Sequence, residues 1–133
     1  MTKPLLLALA MGVATAALAA PPEPDSPSRA VYLQYCGACH GPAGKGDGIA
    51  GSFMTRKPTD LTAITRQNKG EFPYMHVMRV IDGRDTVRAH GDPDMPVWGE
   101  VFAENSSAPV GRRIEIQGKL MLLTDYIRSI QEK

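Results

Sequence analysis

Five consecutive residues, Cys36-Gly37-Ala38-Cys39-His40, constrain this chain more than any other stretch, and they hold both of its cysteines. Two thiols three positions apart can reach the two vinyl groups on one edge of a haem and form thioether bonds. The histidine that follows then lies beneath the ring, where its imidazole can bind iron. The spacing therefore predicts covalent attachment of one haem. Three other uses of the motif are weaker. A redox dithiol sits at a helix start in a strand-helix fold, and no such fold is readable here. A structural zinc site needs four ligands, and no second cysteine pair exists. A disulfide across so short a loop would be strained and would add little stability.

The first residues support the haem reading. Lys3 is a short positive region, Leu5 to Ala19 is an apolar run, and Ala17-Leu18-Ala19 has the small-x-small form that a signal peptidase reads. Cleavage is expected after Ala19 or Ala20, giving a signal peptide over 1–19 and a protein exported to the periplasm. The apolar run gives way to Pro21-Pro22-Glu23-Pro24 and is short for a bilayer. Spanning the hydrocarbon core takes about 20 apolar residues. An uncleaved anchor is the alternative. Attachment of haem through thioethers takes place outside the bacterial cytoplasm, so signal and motif reinforce each other.

Removing 20 of the 133 residues leaves 113, enough for one small domain, in which a large apolar cofactor would help to fill the core. Loss of Lys3 takes the 15 basic residues to 14, level with the 14 acidic ones. No basic run interleaved with aromatics points to nucleic acid. Lys45, Arg56 and Lys57 read first as solvated surface charge on a near-neutral chain. Their other reading is a ring that steers an acidic partner.

Residues 20–27 read as a flexible leader ahead of a single domain over 28–133. Ser26 or Ser28 can cap a first helix running from Arg29 to Tyr35, with Pro27 in its first turn if Ser26 is the cap. Five glycines between Gly41 and Gly51 predict a loop. Helical spacing resumes over Glu71 to Asp82, with Phe72, Met75, Met78 and Ile81 as its stripe and Gly83 as its stop. Arg84 to Pro96 reads as a second long loop, and Asn105-Ser106-Ser107 as loop. Ile116, Leu120, Leu123, Ile127 and Ile130 recur at steps of four and three, marking the apolar face of a final helix. The fold class is all-α, with long loops that a cofactor could give something to pack on.

A second iron ligand must come from Met54, Met75, Met78, Met95, Met121, His76 or His90. Met75, Met78 and Met121 lie in helical apolar patterns, where methionine is usually core filler. Met95 stands in Asp92-Pro93-Asp94-Met95-Pro96-Val97-Trp98-Gly99, where prolines favour an extended backbone. It lies far enough along the chain from His40 to come round to the opposite face of a haem. His90 reads as an exposed loop histidine, and His76 could ligate only if its helix faced the iron.

Four stretches together carry a family resemblance: Cys36 to His40; Gly44-Lys45-Gly46-Asp47-Gly48; Met95-Pro96-Val97-Trp98-Gly99; and Leu123-Thr124-Asp125-Tyr126-Ile127-Arg128. Over nearly its whole mature length the chain resembles small class I bacterial cytochromes c. The glycine stretch lacks the Lys-Ser/Thr of a phosphate loop, so nucleotide binding is discounted. The resemblance implies a cytochrome c fold, with first and last helices crossing and long loops wrapped round one covalent haem c. It implies iron held by His40 and Met95, with Cys36 and Cys39 as attachment points. It further implies a Pro58 carbonyl that orients His40, Trp98 near the haem edge, and Tyr126 as a packing residue. The function implied is single-electron transfer between donor and acceptor proteins, by a monomer that touches membranes only through respiratory partners or an uncleaved signal, and not catalysis. Two alternatives stay open: a cytochrome subunit of a periplasmic dehydrogenase, and a haem enzyme or gas sensor with an open or labile sixth site.

Overall fold

A computed structural model describes residues 25–85 and 95–132; the signal segment, its cleavage site, most of the leader and His90 lie outside the described residues. Among the described residues the secondary structure is helical, without a strand. No helix among them is long and apolar enough to cross a membrane.

Helix α1 spans Pro27–Tyr35. Its N-cap is Ser26, whose hydroxyl accepts from Arg29 N at 3.3 Å. Pro27 fills the first helical position, where a missing N–H costs nothing. The chain turns at Cys36 and makes one further helical turn, α2, over Gly37–His40. A 3₁₀ helix follows at Ile49–Phe53, overlapping the end of the stretch whose glycines predict loop alone. A second 3₁₀ turn, Leu61–Ala63, is capped by the Asp60 carboxylate, which accepts from Thr62 N at 2.9 Å. It runs directly into α3, Ile64–Gln67.

Helix α4, Tyr74–Asp82, begins later than the spacing predicts, with Pro73 as its cap rather than in its first turn. It ends as expected at Gly83, whose φ of 79° is the left-handed stop that glycine adopts without strain. The buried residues are Val77, Met78 and Ile81, whereas Met75 is 57% exposed. The observed stripe is rotated from the expected one. Steps of three fall short of a full helical turn, so a stripe drawn on them drifts, and Met75 leaves the face that Val77 and Ile81 share.

Helix α5, Trp98–Glu104, has no counterpart in the sequence-based reading, in which its first residues belong to a loop motif. Its helical spacing of Trp98, Val101 and Phe102 buries Phe102 almost completely. Asn105 to Ser107 then leave the helix, as expected of a loop. Helix α6, Arg112–Ser129, is the predicted final helix, with Leu120, Leu123 and Ile127 buried and Ile116 and Ile130 packed at the margin of the core.

The core forms where α6 meets α1, α4 and α5, and the α1–α6 pair makes the most extensive contact. There Tyr32 and Tyr126 stack with centroids 4.4 Å apart, so Tyr126 does pack as expected. The Tyr32 hydroxyl donates to Gly41 O at 2.7 Å and the Tyr126 hydroxyl to Pro42 O at 3.3 Å. The two phenols thereby tie the terminal helices to the loop that leaves the cysteine motif. The chain end is bolted down as well. Lys45 Nζ donates to Thr62 Oγ1 at 2.7 Å and pairs with Glu132, while Gln131 Nε2 donates to Leu61 O at 2.7 Å. Lys45 is thus a structural clamp and separates from Arg56 and Lys57, with which its charge had grouped it.

Candidate functional site

The helical turn α2 puts Cys36, Cys39 and His40 on one side of the backbone, since residues three and four apart on a helix are neighbours. His40 N donates to Cys36 O at 2.9 Å, closing that turn. The following loop then folds back beneath it. Gly46 N donates to His40 O at 2.8 Å, and Gly48 N donates to Cys39 O at 3.1 Å. Two glycines are demanded by this close approach. A Cβ on Gly48 would sit 2.3 Å from Ala38 O, and one on Gly46, whose φ is +72°, would sit 2.1 Å from Pro58 O. The glycine-rich stretch is therefore a backbone cradle for the cysteine turn and for residues 58–59.

That cradle sets the histidine. His40 is almost fully buried, and its Nδ1 donates to Thr59 O at 3.0 Å. A carbonyl can only accept, so the proton resides on Nδ1 and Nε2 carries the lone pair. Burial lowers the pKa of His40 from its ordinary value, and the Thr59 bond offsets this only in part. The ring is accordingly held neutral and in one tautomer, the state a metal-binding imidazole requires. The accepting carbonyl is that of Thr59, one residue beyond Pro58, to which the resemblance had pointed. The Pro58 carbonyl lies against Gly46 instead, and the Pro58 ring against Gly51.

Cys36 and Cys39 are free thiols. Burial, then the neighbouring Cys39, pushes the Cys36 thiol up to about 12, so it is protonated at neutral pH. A working redox dithiol needs an accessible cysteine with a depressed pKa. Buried Cys36 is the reverse. For zinc, no cluster of three or more His, Cys, Asp or Glu side chains among the described residues is placed to hold a metal ion.

Cys36, Cys39, His40, Pro58, Met95 and Trp98 all line one cavity of about 320 Å³. This volume lies at the lower end of the range for cofactor pockets, roughly 300–1,000 Å³. The structure also sorts the methionines. Met78 is buried in the core, with its sulfur accepting from Gln117 Nε2 at 3.4 Å, and Met75 and Met121 are exposed. Met54 and Met95 both line the cavity. Met54 directly follows the 3₁₀ helix whose Gly51 abuts the Cys39 carbonyl. Met95 arrives with Trp98 from the far segment of the chain. Trp98 lines the cavity and also packs on aromatic neighbours, with Tyr35 5.4 Å and Phe102 5.8 Å away between ring centroids.

Sequence reasoning misses one participant and underrates another. Thr59 acts through its backbone, which no side-chain pattern reports. His76 lines the cavity with Val77, Val80 and Ile81, so α4 does face it. Its Nδ1 lies 2.9 Å from Asp85 Oδ2, and that same oxygen accepts from Arg79 Nε at 2.8 Å. The one signal available is that His76 and Val80 are four apart on a helix, and hence share a face.

Comparison of the chain with family models, with curated proteins and with solved structures finds no match.

Proposed function

We propose that the chain is an exported c-type cytochrome that carries single electrons on one covalently held haem. The observation that carries this reading is a convergence on one cavity. Two thiols from a single helical turn, an imidazole fixed by Thr59 O, and a thioether from a distant segment of the chain all meet there. The donor set fits a haem c: Cys36 and Cys39 would hold the macrocycle, and His40 and Met95 would hold its iron. When bound, the haem supplies one-electron chemistry between ferrous and ferric iron.

The protein's own residues do the rest. The Thr59 carbonyl keeps the imidazole oriented and makes it a more basic ligand. Leu61, Ile64, Val77 and Ile81 give part of the cavity an apolar wall. A neutral thioether from Met95 on the iron would favour the ferrous state and so raise the reduction potential. If His40 and Met95 both held the iron, no open site would be left for oxygen or peroxide, which suits a carrier rather than an enzyme. The cytochrome c fold belongs to the same proposal, supported by the α1–α6 packing and by loops folded round the cavity.

His76 supports a second reading, in which the sixth site is labile. A carboxylate that holds one ring nitrogen is the usual partner of a ligating histidine, and Asp85 is so placed. One experiment tests both readings: a redox titration of the purified exported protein, with visible spectra of both states and of Met95→Ala and His76→Ala. The carrier reading expects pigment that stays on the denatured chain in acidified organic solvent. It also expects a weak long-wavelength band in the oxidised protein, lost in Met95→Ala and kept in His76→Ala. Pigment that extracts completely refutes the proposal; rapid carbon monoxide binding by the reduced wild type establishes the second reading instead.

A further inference from the structure

Leu61 and Thr62 have all four of their backbone polar groups taken, each by a different part of the chain. Leu61 N donates to Gly44 O at 2.7 Å, and Leu61 O accepts from Gln131 Nε2 at 2.7 Å. Thr62 N donates to Asp60 Oδ1 at 2.9 Å, and Thr62 O accepts from Glu132 N at 2.9 Å. The pair is therefore a fixed block. Asp60 alone separates it from Thr59, whose carbonyl holds His40.

The Thr62 hydroxyl extends that block. Thr62 is only 3% exposed, and its hydroxyl has a single hydrogen to give. Lys45 Nζ can only donate, so the hydroxyl accepts from it at 2.7 Å and gives its own hydrogen to Asp60 Oδ1 at 2.6 Å. Lys45 is itself paired with Glu132 and lies 3.9 Å from Asp60 Oδ2. The Thr62 hydrogen bond is also the foremost influence lowering the Asp60 pKa, so the carboxylate stays an ionised acceptor.

This arrangement reaches the site through one peptide plane. The Thr59 carbonyl belongs to the peptide between Thr59 and Asp60, so Asp60 governs one of its two ends. The tight approach of Gly46 is to Pro58 O, one peptide earlier; a Cβ on Gly46 would stand 3.4 Å from Thr59 C, an ordinary contact. Packing from the glycine loop therefore limits the Thr59–Asp60 plane on one side without fixing its tilt. Asp60, gripped twice by Thr62, fixes it. Resting on the haem reading, we propose that Thr62, oriented by Lys45, is a positioning residue for His40: its hydroxyl holds Asp60, Asp60 fixes the Thr59 carbonyl, and that carbonyl sets how strongly the imidazole donates to iron. Support one step outside the group that touches a ligand is what keeps that ligand in its working geometry.

The test uses the haem-loaded exported protein and a change that removes only the hydroxyl, Thr62→Val. In a redox buffer poised at the wild-type midpoint, the ratio of reduced to oxidised Thr62→Val should rise from parity to about three or more, because a loosened imidazole stabilises ferric iron less. In the reduced protein, exchange of the His40 Nδ1 proton, followed by heteronuclear NMR, should quicken about tenfold, the weight of one modest hydrogen bond. Lys45→Met keeps the hydroxyl but removes the donor that orients it, and should move both readouts the same way by less. Thr62→Ser should restore both. Thr124→Val is the control: Thr124 is equally buried, its hydroxyl donates to Leu120 O at 2.7 Å within α6, and it does not line the cavity. That variant should lose stability with neither readout moved. The proposal is overturned if a folded Thr62→Val or Lys45→Met keeps the wild-type ratio and exchange rate. It is equally overturned if Thr62→Ser behaves as Thr62→Val, or if Thr124→Val shifts the ratio as far. A wild type that carries no pigment refutes the haem reading instead, and the exchange rates, read on the chain alone, still decide whether Thr62 holds His40.

Discussion

Replacement of Gly46 by alanine tests the link between the glycine-rich loop and the histidine. Gly46 has φ of +72°, and a Cβ there would meet Pro58 O at 2.1 Å and Pro58 C at 3.1 Å. Two costs follow. An L-residue in the left-handed region costs roughly 1–2 kcal/mol. Forcing a carbon into a filled space costs about 1–3 kcal/mol more, and the obstacle is backbone, which cannot swing aside as a side chain can. The sum, about 2–5 kcal/mol, is a large share of the roughly 5–15 kcal/mol that holds a domain folded. At roughly 4–8 °C per kcal/mol for a domain near 100 residues, the melting temperature should fall by at least about 8 °C. Gly70→Ala is the control. Gly70 has φ of +89° but nothing within 4 Å of a Cβ. Only the backbone cost, about 1–2 kcal/mol, applies there. The assay is thermal unfolding of the two variants and the wild type, followed by circular dichroism. The loaded protein offers a second readout. On the proposed cytochrome reading, displacing Pro58 would move the adjoining Thr59 carbonyl off His40 Nδ1, the imidazole would become a weaker donor to ferric iron, and the midpoint potential should rise. If Gly46→Ala costs no more stability than Gly70→Ala, the loop does not press on residues 58–59, and the account of how His40 is held is wrong.

Gly118 lies inside α6 with open space round a prospective Cβ. Gly118→Ala should therefore raise stability by roughly 0.5–1 kcal/mol, read as a gain of about 2–8 °C in melting temperature. Asp85 has its pKa lowered, first by the hydrogen bond from Arg79 and next by that with His76. A carboxylate whose folded pKa is depressed stabilises fully above its unfolded value, about 3.9, and loses that contribution as pH falls through the lower folded value. The melting temperature of Asp85→Asn should therefore lie below that of the wild type near neutrality, and the two should converge as pH drops below about 4. A gap that persists in acid would show that the ion pair is not its source.

The sequence alone determined what depends on near neighbours along the chain. Ser26 and Pro27 mark the start of α1 and Gly83 the end of α4, because an unpaired terminal N–H or C=O is satisfied within a few residues. The long face of α6 is legible from a single period, and the motif's two sulfurs and imidazole share one side because three and four steps make a helical turn. Where two readings of a local pattern compete, sequence is a poorer guide. The stripe expected on α4 runs through Met75, and α5 goes unseen because Gly99 and its proline-rich approach suggest loop. Gly99 is helical, and it is glycine because the Asp82 carboxylate packs where its Cβ would stand. Only the tertiary structure decided which methionines share a cavity with His40, that Thr59 rather than Pro58 offers the carbonyl, that His76 borders that cavity, and that Lys45 clamps the chain end. Each of these joins residues from separate elements, and such pairings are set by which faces pack together. A helical period records that a face is apolar, but not what it will meet.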